Sequence, residues 1–275
     1  MSTRLLLVFA VLYLTIGPLQ AQYDDYLYVG GVCCGDSTLT AGDSIQMRRA
    51  LEGQRLIMQP HKAAGVGADL TFTNKQQIFT LPLSYLVLPM LELSASIPVV
   101  RFENINDEEV GLGDLSVGGS YLQGDLSADG AMKYVAHGEL KLPTGDKDKT
   151  LGSDAYDLIV DCQAVRRFGG NLYAHASAGY RAITEDLDDA ATLDVGGTYL
   201  LSGLPTLFPG GDYAIGYQLH ATTVHFDTYL LDVLHTVQYV LDETTALRLA
   251  LLLPFFTTQD QDRRATFNLG ITSFF

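Results

Sequence analysis

From about residue 62 onward the chain alternates apolar and polar positions over segments of about nine to twelve residues. The clearest is 131–142, where Met132, Tyr134, Ala136, Gly138, Leu140 and Leu142 interleave with Lys133, Val135, His137, Glu139 and Lys141. Successive side chains of a β-strand point to opposite faces, so such a segment sets one face in an apolar medium and the other in water. The same split recurs at 90–99, 170–181 and 246–255. Weaker versions occupy 64–73, 77–85, 113–122, 156–165, 191–200, 214–222, 229–240 and 264–275. That predicts about twelve strands, with about ten to fourteen allowed by the weaker segments; an even number leaves both ends of a barrel on one side.

Both a soluble β-sandwich and a membrane-spanning β-barrel alternate in this way. Sandwich strands average about five or six residues, whereas strands near ten residues are long enough to cross a bilayer at a tilt. The connections also favour the barrel. If the chain starts in the periplasm, the outside connections are 101–112, 143–155, 182–190, 223–228 and 256–263, and most are long. They carry Glu103, Asp107, Glu108, Glu109, Asp146, Asp148, Glu185, Asp186, Asp188, Asp189, Asp260 and Asp262. The inside turns 86–89, 166–169 and 241–245 are short. Long outer loops and short periplasmic turns are the pattern of outer-membrane barrels. Two connections depart from it: 74–76 is short, and 201–213 is long and rich in Pro and Gly. The fold class expected is all-β, an antiparallel transmembrane β-barrel over residues 61–275.

Both termini agree with export to a bacterial outer membrane. Arg4, the apolar run Leu5 to Leu14, the Gly17-Pro18 break and Ala21 form a signal peptide cleaved after residue 21. Residues 22–60 make a separate N-terminal segment. Within it Asp43-Ser44 could cap a short helix over 44–52, stopped by Gly53. That helix would plug the lumen or lie at the rim; the plainer alternative is a lead-in with no role. At the other end Phe267, Leu269, Ile271 and Phe275 share one face of the last strand, with Ser273 in a slot usually held by a hydrophobe. A last strand closing on a terminal Phe resembles the signal that outer-membrane assembly machinery reads.

Composition narrows the partners. The chain is 47% hydrophobic and 18% charged, below the roughly 25% charged of soluble chains. No apolar run reaches the roughly 18 residues of a spanning helix. Thirty-two acids against 17 bases give a net charge of -15, which argues against nucleic acid, since phosphate binding needs clustered Lys and Arg. The expected surroundings are outer-membrane lipid and lipopolysaccharide. Cys33, Cys34 and Cys162 make no disulfide framework and lack metal-ligand spacing, although a bridge from Cys33 or Cys34 to Cys162 is permitted in an oxidising compartment.

Parity then collects Lys133, His137, Glu139, Lys141, Asp157, Asp161, His175, Arg181, His220 and Arg248 on the lumen side. Facing charges there would select or orient a permeating solute. Alternatively they pair only to avoid the cost of unpaired burial. For an enzyme, Ser, His and Asn or Asp must converge on one face. His235 falls on the lipid face, but no Gly-x-Ser-x-Gly elbow is present, and no catalytic residue is assigned. His137, His175 and His220 are too scattered to suggest a metal. No cofactor is expected, and no nucleotide-binding loop that would power transport occurs.

Five short motifs follow one another in order: Gly111-Leu112-Gly113-Asp114-Leu115, Leu140-Lys141-Leu142-Pro143-Thr144-Gly145-Asp146, Gly152-Ser153-Asp154, Gly170-Asn171-Leu172 and Gly179-Tyr180. The series resembles the outer-membrane family named for the MetA pathway of phenol degradation, over about 78–275 and most densely over 111–180. The resemblance implies a β-barrel and passage of small aromatic or other hydrophobic compounds across the outer membrane, without naming phenol as the solute. Three functions stay open: a channel for small, mostly apolar solutes, a structural or adhesive barrel using its acidic loops, and a barrel lipase.

Overall fold

A computed structural model describes residues 64–275 except 74–75, 104–107, 125, 127–129, 147–148, 150, 154, 185–188, 202–211, 225–227, 242–244 and 259–264. The signal peptide, Cys33, Cys34 and the 44–52 helix expected from the sequence lie outside the described residues. In chain order the strands are β1 (Ala64–Phe72), β2 (Gln76–Leu88), β3 (Leu91–Glu103), β4 (Glu108–Leu112), β5 (Leu115–Gly124), β6 (Met132–Leu142) and β7 (Asp157–Arg167). They continue with β8 (Leu172–Ile183), β9 (Ala190–Leu201), β10 (Asp212–Val224), β11 (Thr228–Val240), β12 (Thr245–Thr257) and β13 (Thr266–Phe274).

Sequence-neighbouring strands pair antiparallel, except that β4 and β5 both pair with β3, and β1 also pairs with β13, so the sheet closes on itself. The result is a closed twelve-strand barrel with one extra strand. That extra strand is β4. It pairs with β3 along Val99–Glu103, while β5 pairs with β3 along Leu91–Ser96, so the two lie in line and break at Gly113-Asp114. The 101–112 connection expected from the sequence is therefore largely a hairpin. The ladder extends into this acid-rich stretch, where the alternation is reduced to Val110 and Leu112, both exposed outward. The same extension lengthens β2, β3, β10, β11 and β12 to 13 residues each. Thirteen residues rise about 43 Å, and a tilt near 40° leaves about 33 Å, enough to cross the hydrocarbon core.

The two faces of the sheet are inverted relative to a soluble protein. Tyr85, Leu93, Leu193, Val195, Tyr217, Leu219 and Phe255 stand exposed on the outer surface. Ser96, Lys133, Asp157, Thr198, His220 and Gln238 are buried within. Soluble monomers rarely expose contiguous apolar surface beyond a few hundred Å², so an outer face of this kind calls for lipid. The interior is polar with apolar islands: Leu234, Ala250 and Leu252 form one, and Leu122 and Val135 with Leu86 form another. These islands are why several segments alternate only weakly in sequence.

Cys162 carries a free thiol on the outward face. It sits in a shallow hollow of about 410 Å³ with Ala136 and Ala178, bordered by Tyr121, Tyr134 and Leu193. A bridge to Cys33 or Cys34 would have to reach this lipid-facing surface. In a Cys33→Ser, Cys34→Ser background, Cys162 should resist a membrane-impermeant maleimide in bilayers yet react with an apolar one. Equal reaction with both reagents would contradict the outward assignment.

Candidate functional site

Three groups of charged side chains line the interior, each built by strand register. The first lies at one end of β6, β7 and β8. Lys141 and Asp157 are register partners, and Arg181 faces Ile159 on the next strand. Lys141 Nζ is 2.8 Å from Asp157 Oδ2 and 3.4 Å from Asp114 Oδ2, and it donates to Ser153 Oγ at 2.8 Å. Arg181 donates to the same Asp157 oxygen through Nε at 3.0 Å and through Nη2. Asp157 is wholly buried. One carboxylate thus holds two cations out of water, so losing it weakens the hold on both buried cations.

The second group is in the middle of β5–β7. Ser120 Oγ and His137 Nδ1 are 2.9 Å apart, and His137 Nε2 lies 3.6 Å from Glu139 Oε2. Asp161 is the register partner of His137. Lys133 is buried farther along β6. The third group ties β8 to β10. His220 Nδ1 bonds Asp194 Oδ1, His220 Nε2 lies 2.7 Å from Thr222 Oγ1, and Ser177 donates to Asp194 Oδ2 at 2.6 Å. His175 Nε2 lies 3.1 Å from Gln218 Oε1. Hydroxyl, imidazole and carboxylate in that order are a hydrolase triad. Here, though, Thr222, His220 and Asp194 are 6%, 1% and 2% exposed, and an attacking hydroxyl must reach its substrate. The network instead stitches β9 to β10.

Arg248 stands apart, on the seam where the chain closes. It reaches over Gly270 of β13 and donates from Nη2 to Asp69 Oδ1 of β1 at 2.6 Å. All the charged positions expected on the lumen side are therefore inward, but in separate groups: Lys141, Asp157 and Arg181 in one, His137 and Glu139 beside Asp161 in another. Asp69, Asp194, Asp232 and Gln218 are buried inward as well although no motif in the sequence singled them out, and Asp114 stood out only through its Gly-Leu-Gly-Asp motif. Parity alone would have found Asp69 between Ala68 and Leu70, and Asp194 between Leu193 and Val195. Asp114 lies on no strand, so no periodicity marks it. His235 is outward, its ring packed edge-on against Tyr217 at 4.9 Å. Among the described residues no group of three or more His, Cys, Asp or Glu is placed to hold a metal ion.

A closed barrel with an apolar exterior and a charged, packed interior defines an outer-membrane β-barrel protein. The family model for the MetA-pathway of phenol degradation matches residues 63–271, and the chain belongs to that family. No curated protein sequence matches it. Among solved structures it is similar to the COG4313 outer membrane channel from Pseudomonas putida F1, at 13% identity and a TM-score of 0.60, covering 78% of this chain and 96% of that one. It is also similar to the KdgM porin in complex with disordered oligogalacturonate, at 12% identity and a TM-score of 0.53, covering 77% of this chain and 99% of that one. These similar structures are a channel and a porin with the same barrel fold.

Proposed function

We propose that this protein is a passive outer-membrane channel for small hydrophobic or aromatic compounds and performs no chemistry. The observation that carries this reading is the two-signed interior of a closed twelve-strand barrel. Among the described residues six buried carboxylates, Asp69, Glu92, Glu139, Asp157, Asp194 and Asp232, face four buried cations, Lys133, Lys141, Arg181 and Arg248. A lumen of this width is nearly filled by side chains, and a surplus of carboxylates disfavours anionic solutes. Small neutral compounds meet the least resistance there.

In this reading residues 1–21 direct export and the acidic connections face outside, toward lipopolysaccharide. Phe267, Leu269, Ile271 and Phe275 present the last strand to the assembly machinery and then to lipid. Lys133, His137, Glu139, Lys141, Asp157, Asp161, His175, Arg181 and Arg248 are the inward residues whose charges bias the solute path. The deciding experiment reconstitutes the mature chain in liposomes and compares entry of aromatic and sugar solutes. Absence of flux from protein with heat-shifted gel mobility would favour the structural barrel instead. Glu139→Gln with Asp161→Asn should weaken the preference for cations over anions about threefold, read as a shifted reversal potential; no shift in a conducting barrel would remove these two from the solute path.

A further inference from the structure

Three of the five motifs that carry the family resemblance come together at one place, the break between β4 and β5. Asp114 lies in that break, and both its oxygens are engaged. Oδ1 accepts from the Gly145 N–H at 2.9 Å, and Oδ2 accepts from the Ser153 N–H and Oγ at 2.8 Å each. These partners are 31 and 39 residues away in sequence. Thr144 Oγ1 adds a second tie, donating to the Gly113 carbonyl at 3.1 Å and accepting from the Leu115 N–H at 2.9 Å. The connection between β6 and β7 is thus fastened to the β4–β5 junction at both of its ends.

Its middle reaches farther. Leu151 is buried against Ile78 of β2 and Val100 of β3, both of which face the interior by the burial pattern of their strands. From the β6–β7 hairpin to β2 and β3 the path crosses about three strand spacings, roughly 15 Å. It has to run inside the barrel mouth. The packing is backbone on backbone: a Cβ on Gly145 or Gly152 would stand 2.7 Å from backbone atoms of the other, and a Cβ on Gly111 would stand 2.7 Å from Leu151 Cδ1. Ser153 also receives the Lys141 ammonium, so this segment and the Lys141–Asp157–Arg181 group form one unit.

We propose that Thr144, Gly145, Leu151, Gly152 and Ser153 of the β6–β7 connection form a strap folded into the barrel mouth and pinned there by Asp114, and that the strap sets the size limit on passing solutes. Asp114 is then a positioning residue. It acts through the strap and need not touch solute. The first half of the proposal stands on the contacts alone; the second rests on the channel reading.

A chain with Cys33, Cys34 and Cys162 changed to Ser, and with Leu151→Cys, tests both halves. In proteoliposomes Leu151→Cys should react slowly with a bulky, water-soluble maleimide, while Lys149→Cys at an exposed position reacts fast. Adding Asp114→Ala should speed labelling at position 151 about tenfold or more, as charge-assisted bonds are lost, and should admit a trisaccharide that the parent excludes. Asp114→Asn, which keeps the shape, and Ser153→Ala, which spares the backbone bonds, should give intermediate rates. They also keep the test open if Asp114→Ala fails to show the heat-shifted mobility of a folded barrel. Fast labelling of Leu151→Cys with Asp114 intact overturns the strap. Faster labelling with an unchanged size limit overturns its role as filter. If no variant passes any solute, the channel reading falls, while the labelling rates still judge the strap.

Discussion

Gly270→Val yields a chain that does not close its barrel, with the heat-shifted, folded fraction reduced more than about tenfold. Gly270 lies on β13 between Asp69 on β1 and Arg248 on β12, and a Cβ there would overlap the Asp69 carboxylate and stand 3.2 Å from Arg248 Nη2. A valine must therefore break the 2.6 Å ion pair and leave two charges buried at the seam. Breaking such a pair costs about 3–5 kcal/mol, a large part of a stability that is typically about 5–15 kcal/mol. Close by on the seam, Asn268 Nδ2 also donates to Thr71 Oγ1 at 2.8 Å. That bond is too weak to compensate. Ser273→Leu, on the outward face of the same strand, should leave the folded fraction unchanged. Equal yields for Gly270→Val and the parent would show that the seam does not depend on this approach.

The second large effect concerns Asp157. Replacing it with Ala removes the one carboxylate oxygen that Lys141 and Arg181 both contact. The local charge of the β6–β8 group then turns positive. With the channel open to small ions, the anion-to-cation permeability ratio should rise at least about threefold, measured as the reversal potential under a salt gradient. Lys141 keeps Asp114 at 3.4 Å, so a folded barrel is expected, at reduced yield. An unchanged reversal potential in that folded barrel would place the ion path elsewhere. Asp157→Ala with Lys141→Met should bring the ratio back toward the parent value, since the added positive charge is then removed.

Most of the barrel was legible in the sequence because strand alternation is local. Each of the twelve segments read by period two corresponds to a strand, and the inward or outward side of Lys133, Glu139, Lys141, Arg181 and Arg248 followed from parity. The extension of β3 and the presence of β4 were not legible: acids interrupt the pattern there, and Val110 and Leu112 are too short a remnant of alternation to mark a strand, while the hydrogen-bonded ladder continues. The acids Asp69 and Asp194 carried the right parity but lay in segments whose other inward residues are small or apolar, such as Gly67 and Gly196. The helix read at 44–52 lies outside the described residues.

Nearest-neighbour geometry along one chain therefore sets the strand pattern, the two-faced surface and the inward parity of most charges, all of which can be read from residue order. Only the tertiary structure decided which charges meet. Arg248 and Asp69 are 179 residues apart and touch because β1 and β13 close the ring in one register. Asp114, Gly145 and Ser153 meet because the β6–β7 connection turns into the mouth. Register and closure place distant residues side by side through backbone pairing, and no periodicity within a strand records which partner lies across it.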